Sequence, residues 1–270
     1  EDLRRDFDAV VLCTGSTIPR DLPIPGREAA GIHFAVDYLT QQNRLCEGDA
    51  IDPAARISAE GRRVVIIGGG DTGADCLGTA HRQGAASVVQ LEVMPRPPAT
   101  RPADNPWPQW ALVFRTSSAH DEGGERLYSV STERFLTDAA GRVAGLAAVQ
   151  GGMQMDGGRA RFVPIAGSEF EIPADLVLLA MGFTGAQRVG AGPGHEPALD
   201  ARGNVATDGR HLTSLDGVFA AGDARRGASL IVWAIREGRD TAAAVDGWLA
   251  QRATFRRAPA AHRGPAPAPG

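Results

Sequence analysis

The apolar residues of this chain gather in short unbroken runs. Asp8-Ala-Val-Val-Leu-Cys, Val64-Val-Ile-Ile, Ser87-Val-Val-Gln-Leu-Glu-Val and Asp175-Leu-Val-Leu-Leu-Ala carry them on successive positions rather than on every second one. Runs of this kind suit parallel strands covered on both faces, and where helix-compatible stretches lie between them the class is α/β. One such stretch follows Gly73. Another is predicted from Ser229 to Leu249, with Leu230, Ala234, Ile235, Ala242, Val245 and Leu249 at mainly helical spacings as its buried stripe. Strands are also predicted over 143–149 and 160–165, with the glycine-rich patch at 151–158 as the hairpin connection.

The run at Val64 leads into Gly68-Gly69-Gly70-Asp71-Thr72-Gly73, a complete G-x-G-x-x-G turn that opens a helix. Gly68 permits the sharp turn after the strand, Gly70 lets backbone approach a pyrophosphate, and Gly73 lets helix and strand pack closely. The free N–H groups at the helix start then face the anion. A dinucleotide cradle is the expectation, with all six residues as contacts. Glu92 ends the next run, about 20 residues beyond the glycines, where such folds keep an acid for the ribose hydroxyls. A carboxylate there favours NADH, since it repels a 2′-phosphate; Arg96, four residues on, pulls toward NADPH.

Two further pieces point to a second nucleotide. Asp8 to Gly15 aligns without gaps to Asp175 to Gly182, each a predicted buried strand ending in a small-x-Gly turn. The repeat suggests two related domains, with Gly15 and Gly182 close to ligands at the carboxyl ends of their sheets. Thr213 to Asp223 reads TSLDGVFAAGD, small residues before an exposed carboxylate, which is similar to the second FAD fingerprint of two-dinucleotide flavoproteins. That likeness implies Asp223 as the flavin anchor, with Gly222 giving it room. The following helix start at Ser229, Leu230 and Ile231 would face the flavin pyrimidine edge, where a helix dipole suits developing negative charge.

From about Phe7 to Leu249 the chain resembles the small subunit of glutamate synthase, through PRDLPIPGREAAGIHFAVDYL at 19–39, VVIIGGGDTGADC at 64–76, QLEVMPRPP at 90–98, NPWPQW at 105–110, ADLVLLAMGF at 174–183 and GVFAAGDARRGASLIVWAIREGR at 217–239. The resemblance implies two Rossmann-like domains, with an NAD(P)H-binding domain at 20–190 inserted into an incomplete FAD-binding domain at 1–19 and 191–251. It implies hydride transfer from NADH or NADPH to FAD, then electron passage through iron–sulfur clusters to a large subunit that makes L-glutamate from 2-oxoglutarate and glutamine. The family's cysteine-rich amino-terminal domain and first glycine-rich FAD loop do not appear in this sequence. The chain therefore reads as the carboxyl-terminal portion of a longer polypeptide, the clusters belonging to the missing domain and the partner. Other readings are a ferredoxin-linked or pyrimidine-reducing relative, or a nicotinamide-binding remnant without activity. A disulfide reductase lacks its Cys-x-x-Cys.

Composition narrows the classes further. The 270 residues carry a formal charge of −4, against a nucleic-acid binder. No apolar run is long enough to cross a bilayer, and three scattered cysteines fit a reducing, cytoplasmic setting. Cys76 is expected as a small packing residue, and Cys13, Cys46 and Cys76 are too far apart to bind a cluster. All 28 basic residues are Arg, which removes Schiff-base chemistry and the P-loop lysine. No metal is assigned to the histidines. Hydride passes directly between rings, so no catalytic side chain is named. The Pro-rich stretch at 95–117 cannot be one regular element; Trp107 and Trp110 are predicted to anchor it against the sheet, or else the loop closes over the nicotinamide or meets the large subunit. From Arg252 the tail is expected to be disordered.

Overall fold

The computed structural model describes residues 2–109, 111–188 and 195–257. In chain order the elements are α1 (Asp2–Asp6), β1 (Val10–Leu12), β2 (Ile18–Pro19), β3 (Ile32–Phe34), α2 (Ala35–Cys46), β4 (Arg63–Ile67), α3 (Asp71–Arg82), β5 (Ser87–Glu92), α4 (Ser118–Asp121) and β6 (Glu125–Tyr128). They continue with β7 (Val130–Thr137), β8 (Val143–Asp156), β9 (Arg159–Pro173), β10 (Leu176–Leu179), β11 (Phe183–Gly185), β12 (Val218–Ala220), α5 (Asp223–Arg226) and α6 (Ile231–Arg257). Pro19–Gly182 forms one compact unit, inserted into a flanking unit made of the chain up to Ile18 and from Phe183 onward. The chain returns at Phe183 rather than near residue 191, because β11 pairs with β2 and the Thr17 N–H donates to the Gly185 carbonyl at 2.9 Å.

The inserted unit is built on a five-stranded parallel sheet of order β3-β10-β4-β5-β6. Its strands split their side chains by alternation. Val64, Ile66, Val88, Leu176 and Leu178 pack with Tyr38 of α2 and Cys76, Leu77 and Ala80 of α3. The alternate positions, Val65, Ile67, Leu91, Val177 and Leu179, pack with Val130, Phe135, Leu146 and Ala148 of an antiparallel β7-β8-β9 meander. Burial on both faces is what demanded unbroken apolar runs. Cys76 is fully buried, and burial pushes its thiol up to about 12. Helix α3 carries Asp71 in its first turn and His81 and Arg82 in its last, each at the end of the helix dipole that favours it.

The meander is larger than its sequence suggests. β8 and β9 run on through the glycine-rich patch, and the turn is confined to Gly157-Gly158, both at positive φ. Two glycines in a left-handed conformation match the twist of a tight hairpin. Gly151 lies inside β8 at a register shift, where a Cβ would collide with the Phe162 ring and the Val163 carbonyl.

The flanking unit holds one parallel pair, β1 with β12, and a small apolar core of Ala186, Val205, Ala220 and Ala224 against Leu12. The expected stripe of α6 is corrected. Leu230, Ile235, Ala242 and Leu249 are exposed, Ala234 and Val245 of the expected stripe are half-buried, and Glu237 and Thr241 are buried, with Ala244 and Trp248 half-buried beside them. Glu237 accepts from the Gly222 N–H, from Arg225 Nη1 and from Arg226 Nε, at 3.0, 2.9 and 2.8 Å. Thr241 Oγ1 meets His211 Nδ1 at 2.8 Å. Hydrogen bonds thus decide which side of α6 faces inward. The helix also runs to Arg257, past the Arg252 start expected for the tail, since no Gly or Pro interrupts 248–257; residues 258–270 lie outside the described residues.

Candidate functional site

The glycines after β4 differ in what a side chain would meet. Gly68 has φ +127°, and a Cβ there would run into the Ala180 carbonyl of β10's carboxyl end. A Cβ on Gly69 would strike the Glu92 carboxylate, and one on Gly73 the Gly68 carbonyl. Gly70 differs: an added Cβ meets nothing within 4 Å, because Gly70 lines a cavity of about 530 Å³ and its missing side chain leaves that volume free. Gly70 is also the N-cap of α3, whose first-turn N–H groups have no intrahelical acceptors. Loop, dipole and empty volume together could hold an anionic group, and the volume is within the range of small-molecule sites.

Gly68, Gly69, Gly70, Glu92 and Gly182 all line this cavity, while Asp71, Thr72 and Gly73 form the helical turn directly behind it. Glu92 serves the loop as well as facing the cavity. Its Oε2 accepts from the Gly69 N–H at 3.0 Å and its Oε1 from the Met94 N–H at 2.7 Å. Leu22, Ile67, Leu91, Val130 and Met181 give apolar walls, and Arg20, Ser131 and Thr132 add polar groups that sequence reasoning missed. β7 supplies the last two from a strand the sequence did not predict. Its start is tied to Met94 through the Ser129 N–H at 3.1 Å, and its Phe135 N–H donates to the Pro25 carbonyl at 2.8 Å.

Gln90 was missed too, although a lone amide inside SVVQLEV was a usable signal. It is buried, donates from Nε2 to the Gly68 carbonyl at 2.9 Å, and meets His120 Nε2 through its Oε1 at 3.1 Å. The Ser117 N–H donates to His120 Nδ1 at 3.0 Å, which leaves Nε2 as the proton-bearing nitrogen. Burial, then Arg126, hold the His120 pKa below its ordinary value, so the neutral ring joins α4 through Gln90 to the glycine turn.

The loop at 95–117 is irregular, as expected, but Trp107 does not anchor it, being 82% exposed. Buried Asn105 instead ties the loop to itself, accepting from the Leu112 N–H at 2.8 Å and donating to Gln109 Oε1 at 3.1 Å. Trp110 lies outside the described residues.

The remaining predicted contacts belong to the flanking unit. Gly15 takes φ +76° after β1, and Gly222 takes φ +66° after β12. Asp223 begins α5, and its Oδ1 accepts from Ser229 Oγ at 2.9 Å, leaving Oδ2 free for a ligand. Leu230 and Ile231 are exposed at the start of α6, Ile231 at 75%. A left-handed glycine, a carboxylate and an open helix start fit the polar chain and ring edge of a flavin. Among the described residues no His, Cys, Asp and Glu cluster could hold a metal ion, and no helix is long and apolar enough to cross a membrane.

Comparison with known proteins gives this geometry a context. The family model for pyridine nucleotide-disulphide oxidoreductases matches residues 2–113 and 143–238. The NADPH-type glutamate synthase small chain of Mycobacterium tuberculosis is 56% identical over 92% of this chain, covering 51% of the relative. The NADH-type glutamate synthase of Schizosaccharomyces pombe is 45% identical over 91% of this chain and 12% of its own. This chain thus spans about half the length of the bacterial relative. Among solved structures, Mycobacterium tuberculosis FprA in complex with NADPH aligns with a TM-score of 0.67 at 19% identity, over 96% of this chain and 67% of that one, a likeness of fold.

Proposed function

Because the chain belongs to the pyridine nucleotide-disulphide oxidoreductase family, we propose that it is the nicotinamide-coenzyme domain and part of the flavin domain of a glutamate synthase small subunit. In that role it takes hydride from NADH or NADPH onto FAD. Electrons then pass through iron–sulfur clusters, held outside this chain's described residues, to a large subunit that forms L-glutamate from 2-oxoglutarate and glutamine in the cytoplasm. The cavity beside Gly70 carries this reading, supported by the similarity to glutamate synthase chains of bacteria and fungi.

The chain's own residues bind and orient. The Gly68–Gly73 turn and the start of α3 hold the pyrophosphate, while Met181, Leu22 and Val130 exclude water from the middle of the coenzyme. Asp223 and the start of α6 hold the flavin, which when bound supplies the hydride acceptor. No side chain needs to move a proton for hydride to transfer, so rate depends on position.

The test is calorimetric titration of the purified chain with NADPH and NADH. Gly70→Val should fill the open volume and weaken both by at least about a hundredfold, as loss of close backbone approach to a pyrophosphate implies. Unchanged affinity would overturn the assignment. A second reading has support in β1, which among the described residues pairs on one side only: the chain holds nicotinamide coenzyme but not FAD by itself. Gel filtration with added FAD distinguishes the two, since co-eluting flavin absorbance excludes the second.

A further inference from the structure

At the opposite end of the parallel sheet from the glycine turn lies a second cavity, of about 710 Å³, that hydride transfer does not use. Its lining comes from where β3, β4, β8 and β10 begin, and it shares no residue with the cavity beside Gly70. Ile57 and Val143 give it a buried apolar floor, and its charged groups are Arg56, Arg62, Arg63, Arg142, Asp138 and Asp175. Both acids are occupied. Asp175 accepts from the Arg63 guanidinium through both oxygens, at 2.8 and 2.6 Å, and Asp138 accepts from Arg142 Nε at 3.1 Å and from the Ala140 and Arg142 N–H groups. The Arg56 and Arg62 guanidiniums have no hydrogen bond or ion pair among the described residues. His33 also lines the cavity; burial first, then Arg62 and Arg27 against the pull of Asp37, lower its pKa, so it adds no charge near neutral pH.

Four arginines against two aspartates leave two positive charges in excess around this concave surface, and such a surface concentrates its field on an entering anion. Both unpaired arginines grow from fixed backbone. Gln41 of α2 donates to the Ala55 carbonyl at 3.1 Å and accepts from the Ile57 N–H at 2.9 Å, one residue to either side of Arg56. The Arg62 N–H donates to the Ala59 carbonyl at 3.0 Å, and the Arg62 carbonyl accepts from the Ala86 N–H at 2.9 Å. A backbone already held lowers the ordering cost of binding, and guanidinium forks match the paired oxygens of a carboxylate or phosphate. We propose that Arg56 and Arg62 form a binding site for a small dianion, a dicarboxylate or a phosphate, separate from the coenzyme site. The charge excess sets the valence: a dianion neutralises the cavity, whereas a monoanion leaves one charge unmet.

Calorimetric titration of the full chain, above neutral pH and at low ionic strength, with inorganic phosphate and with 2-oxoglutarate tests the site and separates the two sources. At least one should bind with a Kd below about 1 mM, and acetate should bind at least about tenfold more weakly. Binding of phosphate alone assigns the site to phosphates, and binding of 2-oxoglutarate alone to dicarboxylates. Arg56→Gln and Arg62→Gln should each weaken binding about tenfold, as loss of one charge-assisted contact implies. Both should leave Tm unchanged, since neither guanidinium has a partner to lose, and Arg62→Lys, which keeps the charge but not the fork, should retain part of the affinity. Saturating NADPH should leave the Kd within about twofold, because the two cavities share no residue. If neither dianion reaches that affinity, if the Gln variants bind as tightly as the wild type, or if NADPH competes with the anion, the proposal falls. If NADPH itself fails to bind, the coenzyme assignment falls, and the anion titrations decide this proposal by themselves.

Discussion

Strands β10 and β1 follow the same apolar pattern and both run into a left-handed glycine, Gly182 at φ +79° and Gly15 at φ +76°, yet only one is sealed. Leu176 to Leu179 are all buried between β3 and β4, under helices on one face and the meander on the other. Val11 of β1 is 42% exposed, because among the described residues β1 has a single strand partner, β12. An apolar run is therefore enough to specify a strand, whereas its burial depends on neighbours. The same contrast separates the two units. The inserted unit has two extensive apolar clusters, while the flanking unit relies on a few small residues and a buried Glu237–Arg225–Arg226 node.

The largest expected effect tests that contrast directly. Leu178→Ala should cost the inserted unit about 3 kcal/mol, the usual loss for a fully buried leucine, and Val11→Ala should stay within about 0.5 kcal/mol, as at surface sites. Urea titration of both variants compares them, and equal losses would mean that β1 is covered in solution. Next in size, Glu237→Ala should cost about 2 kcal/mol, since it strands the Gly222 N–H and two arginines that are only partly able to turn to water. Hydrogen exchange at the Gly222 amide reports it locally. Unchanged protection would remove the node from the account of the flanking unit.

Acid gives the smallest effect and acts on the inserted unit. His33 and His120 both have pKa values lowered chiefly by burial, so the unfolded chain takes up protons that the folded chain resists. Their contribution is complete above the ordinary histidine value of about 6.5 and is lost as pH falls below it toward the lowered folded values. Melting curves between pH 8 and about pH 5 should show this decline, and His120→Gln should flatten part of it. A slope identical to the wild type's would exclude His120.

What could be read without coordinates was whatever depends on local backbone needs. The Gly68–Gly73 turn was legible because the left-handed Gly68 and the close approaches at Gly69 and Gly73 leave little choice but glycine, and Gly70 between them completes the spacing. The inner strands β4, β5 and β10 of the parallel sheet were legible because burial on both faces leaves few polar positions inside them, Gln90 being the buried exception, with partners Gly68 and His120 distant in sequence; the edge strands β3 and β6 carry His33, Glu125 and Arg126 and gave no such run. The inward side of α6 was not legible. Periodicity assigned it to Leu230, Ile235 and Leu249, but Glu237 finds its partners 11 to 15 residues away, where no repeat reveals them. Trp107 misled for a related reason, since an aromatic ring near prolines resembles an anchor until the buried amide of Asn105 is seen to tie the loop to itself.

The place of β10 in the sheet also sets an order on assembly. It lies between β3 and β4, so Val177 faces Ile32 on one side and Val65 on the other, contacts that close very long stretches of chain. The β8–β9 hairpin, by contrast, needs only its own two strands and a two-residue turn. Local pairings cost little loop entropy and distant ones a great deal. During synthesis the meander can therefore form while β3 and β4 still lack the strand between them, and the glycine turn gains the Ala180 carbonyl beside Gly68 only once that strand has been made.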